Sequence, residues 1–293
     1  MKQSRFQLLV CLPSLFLLLC SLAQASEVKW QDRHADFQGM RVHYQNYGKG
    51  KEAVVYIHGW SCNLSFWEEN ASSLTDRARV ITIDLPGHGQ SDKPEVKYSM
   101  DLFADAINAV LVNARVERAV LIGHSMGTPV IRQFYRRYPA KTQGLVLVDG
   151  GLRPFADQAT MDQFLAGYRS PNYKQVIEQF VGFLAGSMRD KTKVEMIRSS
   201  MLSTPQHVIV GAMEGMADPA IWKEQDQIKV PVLAIYAQQP IWTPEYKQFV
   251  ESLIPQLDYQ MWEGVSHFLM MDEPAKFNET VRGFLVKHRL VKK

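Results

Sequence analysis

One serine stands where its hydroxyl could act as a nucleophile, in Gly123-His124-Ser125-Met126-Gly127. The apolar run Ala119-Val120-Leu121-Ile122 leads into this pentapeptide. Pro129-Val130-Ile131-Arg132-Gln133-Phe134-Tyr135, with apolar residues at helical spacing, leads out of it. A strand enters and a helix leaves. A serine at such a reversal sits on a strained turn, and the flanking glycines let neighbouring backbone pass where a Cβ would collide. The hydroxyl is thereby presented at the carboxyl edge of a sheet. Short Gly/Ser patterns arise by chance in chains of this length, and it is the strand before and the helix after that give this one meaning. A hydroxyl attacks poorly at neutral pH until a base takes its proton, so a histidine must be brought to it from elsewhere in the chain.

The elements able to do this are legible in the apolar patterning. Residues 37 to 48 alternate around Gly39 and predict an antiparallel edge hairpin. Five apolar runs follow without alternation, at 53–57, 80–83, 119–122, 145–148 and 230–235. Runs of that kind are buried on both faces, as parallel strands flanked by helices are. Ser99 can cap a helix that buries Leu102, Phe103, Ala106, Ile107, Val110 and Leu111, and Pro274 opens a final helix. Strand and helix in alternation predict a doubly wound α/β sheet. Between Asp149 and Val230 the alternation stops, and apolar residues recur at helical spacing through Met161–Tyr168, Val176–Leu184, Val194–Leu202 and Val208–Met216. A loop of that length would be exceptional, so an inserted all-helical cap is expected. The predicted organisation is a leader over 1–25, a core formed by 26–150 and 229–293, and a cap over 151–228.

Composition narrows the partners. Residues 1–25 carry Lys2 and Arg5, no acidic residue, and an apolar stretch ending in Ala23-Gln24-Ala25, which predicts a secretory signal peptide cleaved before Ser26. An uncleaved membrane anchor and lipidation at Cys20 are the alternatives, the latter disfavoured by Leu19 before the cysteine. Loss of Lys2 and Arg5 lowers the formal net charge from +3 to +1, too little for general attraction to nucleic acid or anionic membrane. Cys11 and Cys20 leave with the leader, so Cys62 has no internal disulfide partner in an exported, periplasmic or secreted protein. No spacing of His, Cys, Asp or Glu suggests a metal site, and no glycine-rich phosphate loop follows a strand, so neither metal nor cofactor is expected.

Taken together, His58-Gly59-Trp60, Asp84-Leu85-Pro86-Gly87-His88-Gly89-Gln90-Ser91, the Ser125 turn and Gly264-Val265-Ser266-His267-Phe268 resemble the α/β-hydrolase superfamily, with a cap after the sixth strand. The resemblance covers residues 30 to 290 and implies a mostly parallel eight-stranded sheet. It also implies a serine esterase with a catalytic triad and an oxyanion hole. His267 is the expected base, because it follows the strand-like Tyr259-Gln260-Met261-Trp262 and precedes the final helix. The backbone N–H groups of Trp60 and Met126 are the expected oxyanion donors, fixed before charge develops on the substrate oxygen. The Trp60 ring and His124 are expected to line the substrate pocket. Asp84 and His88 belong to a tight structural turn behind the site.

The acid departs from the superfamily's common pattern. Where an aspartate usually follows the seventh strand, this chain reads Ala237-Gln238-Gln239-Pro240-Ile241-Trp242, without a carboxylate. Some members place the acid at the end of the sixth strand, which is the position of Asp149. Glu245 is the alternative, although an acidic residue is favoured at a helix start in any case. Because epoxide hydrolases and haloalkane dehalogenases of this fold use aspartate at the nucleophile turn, Ser125 points instead to carbonyl substrates. The expected activity is cleavage of small to medium apolar carboxylic esters by way of an acyl-enzyme. A ligand-binding or signalling protein on the same fold, with weak or no turnover, is the competing reading, and a carbon–carbon hydrolase is a third.

Overall fold

The computed structural model describes residues 30–154, 156–222 and 226–291. The expected leader therefore lies outside the described residues. Strands β1 (Trp30–Phe37) and β2 (Met40–Tyr47) form an antiparallel hairpin that pairs Phe37 with Met40 and Trp30 with Tyr47. Its two turn residues, Gln38 and Gly39, both lie in the left-handed region at φ 53° and 79°. A two-residue turn of this kind matches the twist of the strands it joins. The first strand reaches further back than the alternation around Gly39 indicates. Trp30 to Arg33 are exposed and follow no pattern of their own, so pairing with β2 sets their conformation.

The remaining strands are β3 (Glu52–Ile57), β4 (Arg79–Ile83), β5 (Arg118–His124), β6 (Thr142–Val148), β7 (Val232–Ala237) and β8 (Leu257–Trp262). They assemble into one eight-stranded sheet of order β1-β2-β4-β3-β5-β6-β7-β8. The pairs β1·β2 and β2·β4 are antiparallel, and every pair from β4 across to β8 is parallel. All six residues of β7 are buried, as a strand covered on both faces requires.

The helices are α1 (Glu68–Ala71), α2 (Met100–Asn113), α3 (Gly127–Arg137), α4 (Gln158–Arg169), α5 (Tyr173–Ala185), α6 (Lys191–Ser203), α7 (Gln206–Ala217), α8 (Pro244–Leu253), α9 (Leu269–Asp272) and α10 (Pro274–Lys287). Ser99 caps α2, its hydroxyl accepting from the Leu102 amide at 3.1 Å. Four helices, α4 to α7, fill the interval between β6 and β7. Asp157 and Asp190 cap α4 and α6 through their carboxylates, which is why a polar residue stands before each apolar stripe.

A buried charge cluster ties the edge hairpin to the core. His43 meets Asp84 through Nδ1 and Asp32 through Nε2, each at 2.8 Å, so both ring nitrogens donate and the imidazole is a cation. Burial opposes that charge, but the two carboxylates outweigh it and raise the His43 pKa above 6.5. The sign follows from linkage. A group whose pKa rises on folding contributes stability that is complete below its unfolded value and is lost as pH climbs through the folded one. The denaturation midpoint of the wild type, measured relative to His43→Gln, is therefore expected to fall as pH rises from below to above the unfolded value of about 6.5. A difference that stays constant with pH would show that folding does not raise the His43 pKa.

Candidate active site

Ser125 occupies the reversal between β5 and α3 with φ 53°, in the left-handed region where a non-glycine residue costs about 1–3 kcal/mol. The turn holds because it is tied on both sides. The Ser125 amide donates to the Val148 carbonyl at 2.9 Å, and its carbonyl accepts from the Thr128 amide at 2.9 Å. A Cβ at Gly127 would lie 2.7 Å from the Ile57 carbonyl oxygen, so only glycine lets α3 start this close to β3.

Asp149 leaves the end of β6 with φ 45°, another left-handed conformation, which aspartate tolerates better than most residues. A Cβ on the following Gly150 would lie 2.4 Å from the Ser125 carbonyl oxygen and 2.3 Å from Thr128 Oγ1. This close approach sets the backbone that carries the carboxylate directly against the backbone that carries the serine. The Asp149 side chain is buried at 1% exposure, and its two oxygens face different partners. Oδ2 meets His267 Nδ1 at 2.7 Å. Oδ1 accepts from the Ala237 amide and from Trp242 Nε1, both at 2.8 Å. A buried carboxylate needs such donors in place of water.

His267 lies in the loop between β8 and α9. Its carbonyl accepts from His124 Nε2 at 2.9 Å, and its amide donates to the Leu184 carbonyl of α5 at 3.2 Å. The His124 and His267 rings lie 4.7 Å apart. Burial, reinforced by the neighbouring His267, holds the His124 pKa well below 6.5. His124 is therefore neutral, donates through Nε2, and acts as a strut for the His267 loop. Its Nδ1 is buried without a partner among the described residues.

The cavity above the sheet edge has a volume of about 320 Å³ and brings together Trp60, His124, Ser125, Met126, Asp149 and His267. No hydrogen bond joins the Ser125 hydroxyl to His267 among the described residues; such bonds are commonly long without substrate and tighten in the complex. Phe164 and Phe180 line the cavity from α4 and α5, Met201 from α6, and Met213 and Met216 from α7. The Trp60 ring packs 4.9 Å from Tyr168 and donates through Nε1 to the Ile209 carbonyl at 3.0 Å, so it is both wall and tie to the inserted helices. Neither the Trp60 nor the Met126 amide donates to a backbone carbonyl in the turns, loops and caps of the described residues.

Other candidates lie outside the cavity or serve only to pack its wall. Glu245 is exposed in the first turn of α8, where the Thr243 side chain holds its carboxyl below the usual range. Asp84 accepts from the Leu64 and Gln90 amides, each at 2.8 Å, as well as from His43. Burial alone would raise its carboxyl, and these donors outweigh it. His88 is buried behind the site with its pKa lowered to about 3 by desolvation. Cys62 lines the cavity but is buried, and desolvation raises its thiol, which makes it a packing residue. Among the described residues no group of His, Cys, Asp or Glu could hold a metal ion, and no helix is long and apolar enough to cross a membrane.

Sequence reasoning missed Trp242. The stretch after β7 was notable for its missing carboxylate, and the signal available there was an indole N–H beside a site in need of a donor. Arg153, which also lines the cavity, had no pattern to mark it.

An eight-stranded sheet of this order, with a serine at the β5–α3 reversal and a histidine–aspartate pair over its carboxyl edge, defines a class of protein. The chain belongs to the alpha/beta hydrolase fold family, whose pattern it matches over residues 52–274. It is 26% identical over 263 residues to a pimeloyl-[acyl-carrier protein] methyl ester esterase of Aeromonas hydrophila, covering 84% of this chain and all of that one. It is 28% identical over 264 residues to a 2-hydroxy-6-oxononadienedioate/2-hydroxy-6-oxononatrienedioate hydrolase of Paraburkholderia phymatum, covering 84% of this chain and 91% of that one. Among solved structures it is similar to Est816, described as an N-acyl homoserine lactone degrading enzyme. That match has a TM-score of 0.73 and 26% identity, and it covers 86% of this chain and all of the other.

Proposed function

We propose that this protein is an exported serine hydrolase that cleaves carboxylic esters through an acyl-enzyme. The observation that carries the reading is the 2.7 Å contact of Asp149 Oδ2 with His267 Nδ1, made at the wall of a cavity that also contains Ser125. With Nδ1 committed to the carboxylate, the ring carries its proton there and Nε2 is left to accept one. The Ser125 hydroxyl attacks the ester carbonyl as Nε2 takes its proton, and the amides of Trp60 and Met126 donate to the oxyanion. The alcohol leaves with that proton, water attacks the acyl-serine with Nε2 again as base, and the acid departs. Export rests on the character of residues 1–25, with cleavage before Ser26.

The test is covalent labelling. Mature protein incubated with a fluorophosphonate is expected to gain one adduct, located by peptide mass on the segment containing Ser125. It is also expected to turn over short p-nitrophenyl esters. A protein that neither labels nor turns over any ester would belong to the ligand-binding class instead.

A further inference from the structure

Among the described residues lining the cavity there is one guanidinium, that of Arg153, and no lysine. Arg153 lies four residues beyond Asp149, which limits the distance between their Cα atoms to about 14 Å. Its guanidinium is placed against rings of α8, whereas Ser125 and His267 come from the β5–α3 turn and the β8–α9 loop, and aromatic and methionine side chains of the inserted helices share the same cavity. Its charge is held in place. The guanidinium lies over two rings of α8, 5.3 Å from the Tyr246 centroid and 5.2 Å from that of Phe249. Stacking of this kind fixes the plane of the fork while its N–H edge stays open.

The backbone beside it is anchored as well. The Leu152 amide donates to the Tyr246 hydroxyl at 3.0 Å, and the Leu152 carbonyl accepts from Nη1 of the buried Arg132 at 2.6 Å. Tyr246 therefore supports both the chain and the side chain of the next residue. Yet among the described residues Arg153 donates no hydrogen bond and has no carboxylate within 4.0 Å, whereas Arg118, Arg137, Arg169, Arg198 and Arg282 each have one. The acidic group that senses its charge, Glu245, is fully exposed to solvent. The second acid of the neighbourhood, Asp149, is already committed to His267 and two neutral donors. A preorganised cation in the cavity wall, with its donors unused among the described residues, has the chemistry to receive a carboxylate supplied by a ligand.

We propose that Arg153 binds a free carboxylate on the substrate, so that the preferred substrates are half-esters of dicarboxylic acids: an ester at Ser125, an apolar spacer, and an anionic end at Arg153. The proposal rests on the hydrolase reading for its catalytic half, but recognition of the anion can be measured without turnover. In the Ser125→Ala protein, monomethyl adipate and the neutral methyl hexanoate are compared by calorimetry, with monomethyl glutarate and monomethyl suberate to vary the spacer.

The expected result is about ten- to a hundredfold tighter binding of the best half-ester than of the neutral ester, as a charge-assisted hydrogen bond would give. The preference should weaken with added salt. It should disappear in Ser125→Ala/Arg153→Met and survive in part in Ser125→Ala/Arg153→Lys, which keeps the charge without the fork. Equal binding of the two ligands, or a preference unchanged by Arg153→Met in a protein of normal melting temperature, overturns the proposal. If Arg153→Met fails to fold, Arg153→Lys decides, because an undiminished preference there rules out recognition by the fork. In wild-type enzyme the ratio of kcat/KM for half-ester and neutral ester should follow the same order. Neutral-ester turnover that depends on Ser125, with a ratio unaffected at Arg153, would leave the hydrolase reading standing and remove this one.

Discussion

Ser125→Ala is expected to lower kcat for a p-nitrophenyl ester by about a millionfold, equivalent to roughly 8 kcal/mol of transition-state stabilisation. The loss should be this large because, in the proposed mechanism, the oxygen removed forms the covalent bond and no described residue of the cavity is placed to replace it. Cys62 lines the same cavity, but its thiol is buried and its pKa is raised, so it supplies no thiolate. Folding should be little affected. Among the described residues the hydroxyl has no hydrogen bond to lose, and alanine meets the same φ of 53° that serine already tolerates. His267→Ala should be nearly as damaging, and the double variant scarcely worse than either, because nucleophile and base act as one unit. In the proposed mechanism the residual rate would measure what the Trp60 and Met126 amides contribute alone. A Ser125→Ala protein that retains even a tenth of wild-type turnover would mean that the ester is cleaved elsewhere.

How much of this arrangement the chain declares in advance depends on the range of the forces involved. The parallel strands are legible because burial on both faces demands unbroken apolar runs such as Val54 to Ile57. The helices between β6 and β7 are legible because each must bury one stripe. The Ser125 turn is legible because strand, glycine and helix are local to it. The start of β1 is not, since Trp30 to Arg33 are exposed and take their extended form from the partner strand. Asp149 is visible as an aspartate before Gly150-Gly151, at a bend where a left-handed residue is useful, but nothing near it in sequence names His267, 118 residues away. Trp242 and Arg153 are the least legible. Their positions follow from where the loop after β7 and the helix α8 fall against the end of β6, which is tertiary structure with no periodic trace.

That same contact network sets the expected cost of altering the acid. Asp149→Asn removes one charge, and which way the new amide faces is already decided. The Ala237 amide and Trp242 Nε1 both donate toward Oδ1, so the asparagine oxygen must stay there to receive them. Its NH₂ group then faces His267 Nδ1, which must accept, and the imidazole carries its proton on Nε2 instead. A ring protonated at Nε2 cannot take the serine proton. The expected fall in kcat is about 10⁴-fold, the size seen when a triad histidine is forced into the wrong tautomer.

Glu245→Gln, by contrast, alters an exposed residue at a helix start and should leave kcat within about twofold, since surface changes of this kind are nearly neutral. Trp242→Phe keeps the ring that packs 4.6 Å from Tyr236 but deletes one donor to the buried carboxylate. A loss of about 1.5 kcal/mol, or roughly tenfold in kcat with KM little changed, is expected from that bond. The three variants therefore form a ladder, with Asp149→Asn lowest, Trp242→Phe intermediate and Glu245→Gln near wild type, read as kcat on one ester at one pH. An inverted ladder, with Glu245→Gln the severe variant, would move the acid from the sixth strand to α8. A Trp242→Phe enzyme indistinguishable from wild type would mean that the Ala237 amide alone holds the carboxylate toward His267.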